Sequence, residues 1–314
     1  MLFLFQLAAL SAVDWQFRQY GDLRVRSAPK DSAYAGLVVR SLQSRISSFQ
    51  MKLGVYPVTP LEIRILPNRN AYKNFTAGKG RIVENSEAFY SPAERIIYVR
   101  SPEQVSTLVY SDVLMHEYIH WFLDETLDNV PLWFHEGMAM YYSGQFGFST
   151  YYNFTRLRFL GFRLSLNDML NDYPQDKNYW DMFYLTSVFA VQHLDAHRHD
   201  DWLAFWNLVG YNYSRPSQGK TLKSDFIRVF NISFRQSLYA FSREFDAVQK
   251  RYDWQFPFVG VNALILSLLP LVLILAWLRS RRRLQNLPDV IQEPDETGAE
   301  PADEAAPSSD DTRT

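Results

Sequence analysis

Val113-Leu114-Met115-His116-Glu117-Tyr118-Ile119-His120-Trp121-Phe122 decides how this 314-residue chain is read. The segment is apolar almost all round, so a helix formed by it belongs in a core rather than on a surface. Its two histidines are four residues apart. On a helix, residues i and i+4 share a face, roughly 5–6 Å apart at Cβ. His116 and His120 can therefore aim one imidazole nitrogen each at a single ion, at about 2.0–2.1 Å. Glu117 lies about one hundred degrees around the helix from His116. It is too displaced to join them easily as a ligand, but well placed to reach a water held by the ion.

Working outward, Asp124, Glu125 and Asp128 open a polar connection, and Pro131 suits the first turn of a second helix. That helix carries Trp133-Phe134-His135-Glu136-Gly137, with Glu136 sixteen residues after His120. Glu136 supplies a third ligand, and Gly137 and Ala139 allow close approach of the helices. Two histidines, one further carboxylate and an open fourth position make up the inventory of a catalytic zinc site. The competing reading is two histidines on a buried helix face, each met by a core acceptor.

The pattern His116-Glu117-x-x-His120, then Pro131-x-Trp133-Phe134-x-Glu136-Gly137-x-Ala139-x-Tyr141, resembles the gluzincin metallopeptidases. It is most similar to the compact peptidase MA-like, or minigluzincin, group. The resemblance spans roughly residues 20 to 253. Glu87-Ala88-Phe89-Tyr90 and Arg95-Ile96-Ile97-Tyr98-Val99 look like that group's paired strands, and Phe183-Tyr184-x-x-Ser187 like its later helical segment. It implies that His116, His120 and Glu136 bind one Zn2+ and that Glu117 is the general base. Gluzincins often place a tyrosine or histidine downstream of the glutamate ligand to stabilise the oxyanion, which makes Tyr184 the candidate here. The chain has 19 tyrosines, and an aromatic at helical spacing ordinarily packs in a core. The resemblance also implies that a substrate peptide adds to the edge strand Glu87–Tyr90 by main-chain hydrogen bonds.

The composition is 47% hydrophobic and 16% aromatic, enough for a sizeable core. The absence of cysteine excludes disulfides, thiolate ligands and a cysteine nucleophile. Residues 286–314 carry nine acids and one base. Residues 13–255 carry 27 Lys/Arg and 25 Asp/Glu and are nearly neutral, so nucleic acid is not an expected partner. Phe256 to Leu278 is 23 residues without a charge, about 34 Å as a helix, followed by Arg279, Arg281, Arg282 and Arg283. This predicts one C-terminal transmembrane helix, with the C-terminus cytoplasmic and the preceding residues outside. Residues 1–12 read as a signal peptide. The expected organisation is thus a leader (1–12), an extracytoplasmic catalytic domain (13–253), a span (256–278), and a basic stub with a disordered acidic tail (279–314).

Within the domain, strands are expected at 22–28, 61–66, 87–90 and 95–99. Helices are expected at 31–53, closed by Gly54, at 68–75, and at 102–126. From Pro131 the pattern is helical, near 131–143, 151–160, 178–196, 200–209, 221–230 and 234–252. This predicts an α+β fold, a small mixed β-sheet with helices followed by an α-helical half, with the metal between. His135 is expected to line the cleft, and His193, His197 and His199 to serve a helix end. The leading expectation is a single-pass, membrane-anchored zinc metallopeptidase acting on a peptide or protein substrate, with membrane lipid as its other partner. The alternatives are a non-catalytic, zinc-containing peptide receptor or scaffold, and a zinc hydrolase of another amide or ester.

Overall fold

The computed structural model describes residues 15–77, 86–101, 107–214 and 223–285; the side chains at 41, 107–109, 259–267 and 283–285 are not described. The expected leader, the 78–80 loop, the acidic tail and the first residues of the 102–126 helix lie outside these residues. The chain divides into two units, Met1–Val261 and Asn262–Thr314.

The first unit is mixed α+β and mostly helical. A hairpin begins it: β1 (Gln16–Tyr20) and β2 (Leu23–Ser27), joined at Gly21 with φ +57. Positive φ suits a two-residue hairpin turn. β1 was not foreseen, because its side chains are almost all exposed and show no alternation. α1 (Ser32–Leu53) follows and ends at Gly54, which caps it with φ +69 as expected. Then come β3 (Leu61–Leu66), α2 (Arg69–Thr76), β4 (Ala88–Ser91) and β5 (Ile96–Arg100). Asn68 caps α2 by accepting from the Ala71 N–H.

The sheet order is β1-β2-β3-β5-β4. The central pairs β2/β3 and β3/β5 are parallel; β1 and β4 are antiparallel edges. β5 is buried along its whole length because both faces are covered. Ile97 and Val99 join Ile63 and Ile65 in the main core, while Ile96 and Tyr98 pack with Tyr72, Phe75 and Phe89 in a second cluster.

α3 (Thr107–Thr126) carries the two histidines and lies in the main core through Leu114, Met115, Tyr118, Ile119 and Phe122. Phe49 of α1 meets Phe122 edge-on, ring centroids 4.9 Å apart. The helical half follows: α4 (Leu132–Tyr142), α5 (Phe148–Phe159), α6 (Trp180–His197), α7 (His199–Tyr213), α8 (Phe226–Phe234) and α9 (Leu238–Gln249). α4 and α6 meet at Gly137, where a Cβ would overlap the Ser187 carbonyl oxygen and sit 2.7 Å from Val191 Cγ2. The expected 234–252 helix starts four residues late, because Arg235 adopts φ +55 and closes α8, and Ser237 caps α9. Two short parallel strands, β6 (Leu127–Asp128) and β7 (Ser224–Asp225), join the end of α3 to the start of α8. Pairings this short have no sequence period to announce them.

The expected transmembrane helix is corrected. α10 (Gln255–Gln285) is long, but among the described residues no helix is long and apolar enough to cross a membrane. The middle of the proposed span, 259–267, falls outside the described side chains. The single-pass topology, and the extracytoplasmic placement and lipid partner derived from it, are withdrawn with the span.

Candidate metal centre

Backbone periodicity and tertiary packing each contribute part of the site. The helical repeat of α3 stacks His116 and His120, whose ring centroids are 4.8 Å apart at an interplanar angle of 78°. The close approach of α4 brings Glu136 opposite them. Glu136 Oε2 stands 3.6 Å from His116 Nε2 and 3.8 Å from His120 Nε2. One ligand atom from each of the three residues lies within 4.8 Å of the others, so the group could hold a metal ion. An ion bound tetrahedrally at 2.0–2.1 Å needs donors about 3.3 Å apart. The two gaps between Glu136 and the histidines exceed that by a few tenths of an ångström, and the three ligand atoms as a set lie within 4.8 Å.

The electrostatics fit a cation site. Burial pushes Glu136 up, but the adjoining His120 and His116, with the hydrogen bond from Tyr173, outweigh it and hold the carboxyl at about 2. Burial lowers His120 to about 3 despite the pull of Glu136, so its imidazole is neutral and free to be a ligand. For His116, burial lowers the pKa, but Glu136 and Glu117 overcome it and the net shift is upward. His116 Nδ1 is buried without a hydrogen bond, and Gln145 is a polar side chain beside it.

Glu117 is turned away from the three, toward the sheet. Its Oε2 accepts the Tyr90 N–H of edge strand β4 at 2.7 Å. Tyr90 is anchored in turn, its hydroxyl donating to Asp124 Oδ2 at 2.7 Å. Burial raises the Glu117 carboxyl to about 7, against the opposing effects of His116 and the Tyr90 N–H. A buried carboxyl shifted toward neutrality beside a cleft is the profile of a general acid–base group.

Tyr173, in the connection before α6, was missed from the sequence. Its hydroxyl donates to Glu136 Oε1 at 2.5 Å. With Oε1 held, Oε2 is the oxygen that faces the histidines. Nothing in the sequence singles out Tyr173, since it belongs to no periodic element and stands 37 positions from its partner. Tyr184 of α6 packs beside Tyr173, ring centroids 6.3 Å apart, and burial raises its phenol well above the ordinary range. The Glu136 and Glu117 carboxylates both raise it further.

His116, Glu117, Glu136, Tyr173 and Tyr184 all line one cavity of about 600 Å³, with Ala88, Phe89 and Tyr90 of β4 also in its lining. His135 does not line it. Its ring lies against that of His120, centroids 5.7 Å apart, because it precedes Glu136 on α4 and faces the helix pair instead.

No protein-family model matches the chain. It is similar to the uncharacterized protein YhcO of Bacillus subtilis (strain 168), 28% identical over 125 residues. The match covers 35% of this chain and 37% of that protein, so the chain spans little more than a third of the relative's length.

Proposed function

We propose that the protein is a zinc-dependent metallopeptidase of gluzincin type. The observation that carries this reading is the convergence of His116 Nε2, His120 Nε2 and Glu136 Oε2, with His116, Glu136 and Glu117 lining one cleft. Two imidazoles and one carboxylate are a known catalytic zinc donor set, and they leave one position open. A bound zinc ion supplies Lewis-acid polarisation of a carbonyl and acidifies a coordinated water. The ion would be held by His116, His120 and Glu136.

The chain's own residues supply the rest. Glu117 takes a proton from the attacking water and delivers it to the leaving amine. The Tyr90 N–H keeps its carboxylate oriented and favours the ionised form. Tyr184 donates to the oxygen on which negative charge develops. Strand β4 offers an outer edge to an extended peptide, which would add to it by main-chain hydrogen bonds. Tyr173 fixes the rotamer of Glu136 so that one oxygen is available for the ion.

The test compares the zinc-loaded full chain with zinc-loaded Glu117→Gln and Tyr184→Phe on a diverse peptide library read by mass spectrometry. The parent should cleave. Glu117→Gln should not, and Tyr184→Phe should lose on the order of a hundredfold or more in kcat with little change in KM. Equal cleavage by the parent and Glu117→Gln would remove the assigned base. No cleavage by the parent, with zinc shown to be bound, would overturn the peptidase reading.

A further inference from the structure

The cleft wall contains a guanidinium that the chemistry above leaves unused. Arg156, in the last turn of α5, is partly buried and lines the same cavity as His116, Glu117 and Glu136. Arg158, two residues on, shows how a structural arginine is treated in this protein. It is buried, with Nε and Nη2 on Asp253 at 2.8 and 2.7 Å and Nη1 on Gln249 at 3.0 Å. Arg156 has no such partners: it forms no ion pair and no side-chain hydrogen bond among the described residues.

The other charges of the cleft do not answer it. Glu136 is committed to the histidines and Tyr173, and Glu117 to the Tyr90 N–H. Asp181, in the first turn of α6, is exposed and makes no ion pair with Arg156. A helix C-terminus favours a cation, which accounts for the charge but not for its facing the cleft. Asn153, three residues earlier and so on the same face of α5, also lines the cavity. Leu157 and Leu185 flank them and lower the local polarity, which strengthens a charge-assisted hydrogen bond.

We propose that Arg156, with Asn153, receives a carboxylate of the substrate and makes the protein selective for peptides that present one within the cleft. A planar guanidinium matches a carboxylate through two parallel N–H···O bonds. The carboxylate is that of the chain terminus or of an acidic side chain. This inference rests on the peptide-cleaving reading and names its substrate class.

The test uses short peptides made in three forms: free C-terminal acid, C-terminal amide, and C-terminal amide with one internal glutamate. Cleavage by the zinc-loaded parent should be faster for one carboxylate form than for the plain amide by roughly tenfold or more. Whether the terminal or the internal form gains identifies the source. Arg156→Gln should bring the ratio close to one, and Arg156→Lys should restore part of it. Circular dichroism and zinc stoichiometry of both variants should match the parent, which separates recognition from folding. The same peptides are titrated calorimetrically against zinc-loaded Glu117→Gln and against Glu117→Gln/Arg156→Gln. Carboxylate-dependent binding lost only with Arg156 supports the inference even if nothing is cleaved, in which case the peptidase reading alone falls. Equal cleavage and equal binding of all three forms overturns it, as does a preference that survives in Arg156→Gln.

Discussion

Glu117→Gln should stabilise the cation-free protein, and by more at pH 8 than at pH 5. The carboxyl of Glu117 is buried, and burial moves it from its ordinary 4.5 up to about 7. In the unfolded chain it returns to the ordinary value. Between those two values the folded protein keeps a proton that the unfolded chain has released. The folded state therefore binds more protons, and stability falls as the pH rises through this window. Below 4.5 the carboxyl is protonated in both states and the difference disappears; above about 7 the full cost is present. Glutamine has nearly the same size and does not titrate, and its carbonyl oxygen can still accept the Tyr90 N–H. Integrating the linkage from pH 5 to pH 8 gives an advantage of the variant that grows by roughly 2–3 kcal/mol. The assay is urea unfolding of the full chain after chelator treatment, followed by tryptophan fluorescence at both pH values. Trp121 and Trp133 are buried in the folded chain and report unfolding. Adding zinc should shrink the advantage, because a nearby cation favours the carboxylate. A difference between variant and parent that stays level from pH 5 to pH 8, or that narrows, would refute the assignment of Glu117 as a carboxyl held near neutrality by burial.

Three other outcomes follow from the same geometry. His116→Ala removes one of three ligand atoms, so zinc bound per chain, read by mass spectrometry of dialysed protein, should fall from one to near zero; an unchanged stoichiometry would place the metal elsewhere. Tyr173→Phe frees Glu136 Oε1 and should weaken zinc affinity by roughly 10–100-fold in a chelator competition, whereas an unaltered affinity would show that Glu136 is positioned by packing alone. Gly137→Ala puts a methyl against the Ser187 carbonyl and Val191, with backbone on one side that cannot swing away; a loss of at least about 1–3 kcal/mol in urea unfolding is expected, together with weaker zinc binding, since α4 carries Glu136.

The histidine pair was legible because it is local. A four-residue spacing on an apolar helix converts directly into two rings on one face, and no tertiary information is needed. Gly54 as the end of α1 and the β3 boundaries were legible for the same reason. Glu136 came next, since a short connection and a proline define the start of a second helix close by. The transmembrane reading used the same kind of reasoning and did not survive. It weighed a charge-free run by its composition, whereas among the described residues no helix is long and apolar enough to cross a membrane.

What the sequence by itself determined is therefore the candidate site: His116 and His120 by helical period, Glu117 beside them by its angle, and Glu136 by its place after the turn. Only the tertiary structure decided what each of these groups faces. The hydrogen bond from Tyr173 to Glu136, the Tyr90 N–H on Glu117 and the seat of Arg156 in the cleft wall join residues tens of positions apart. The physical reason is that hydrogen bonding and burial depend on distance in space. A chain's periodicity sets such distances within one element, and the packing of α3, α4, α6 and β4 sets them between elements.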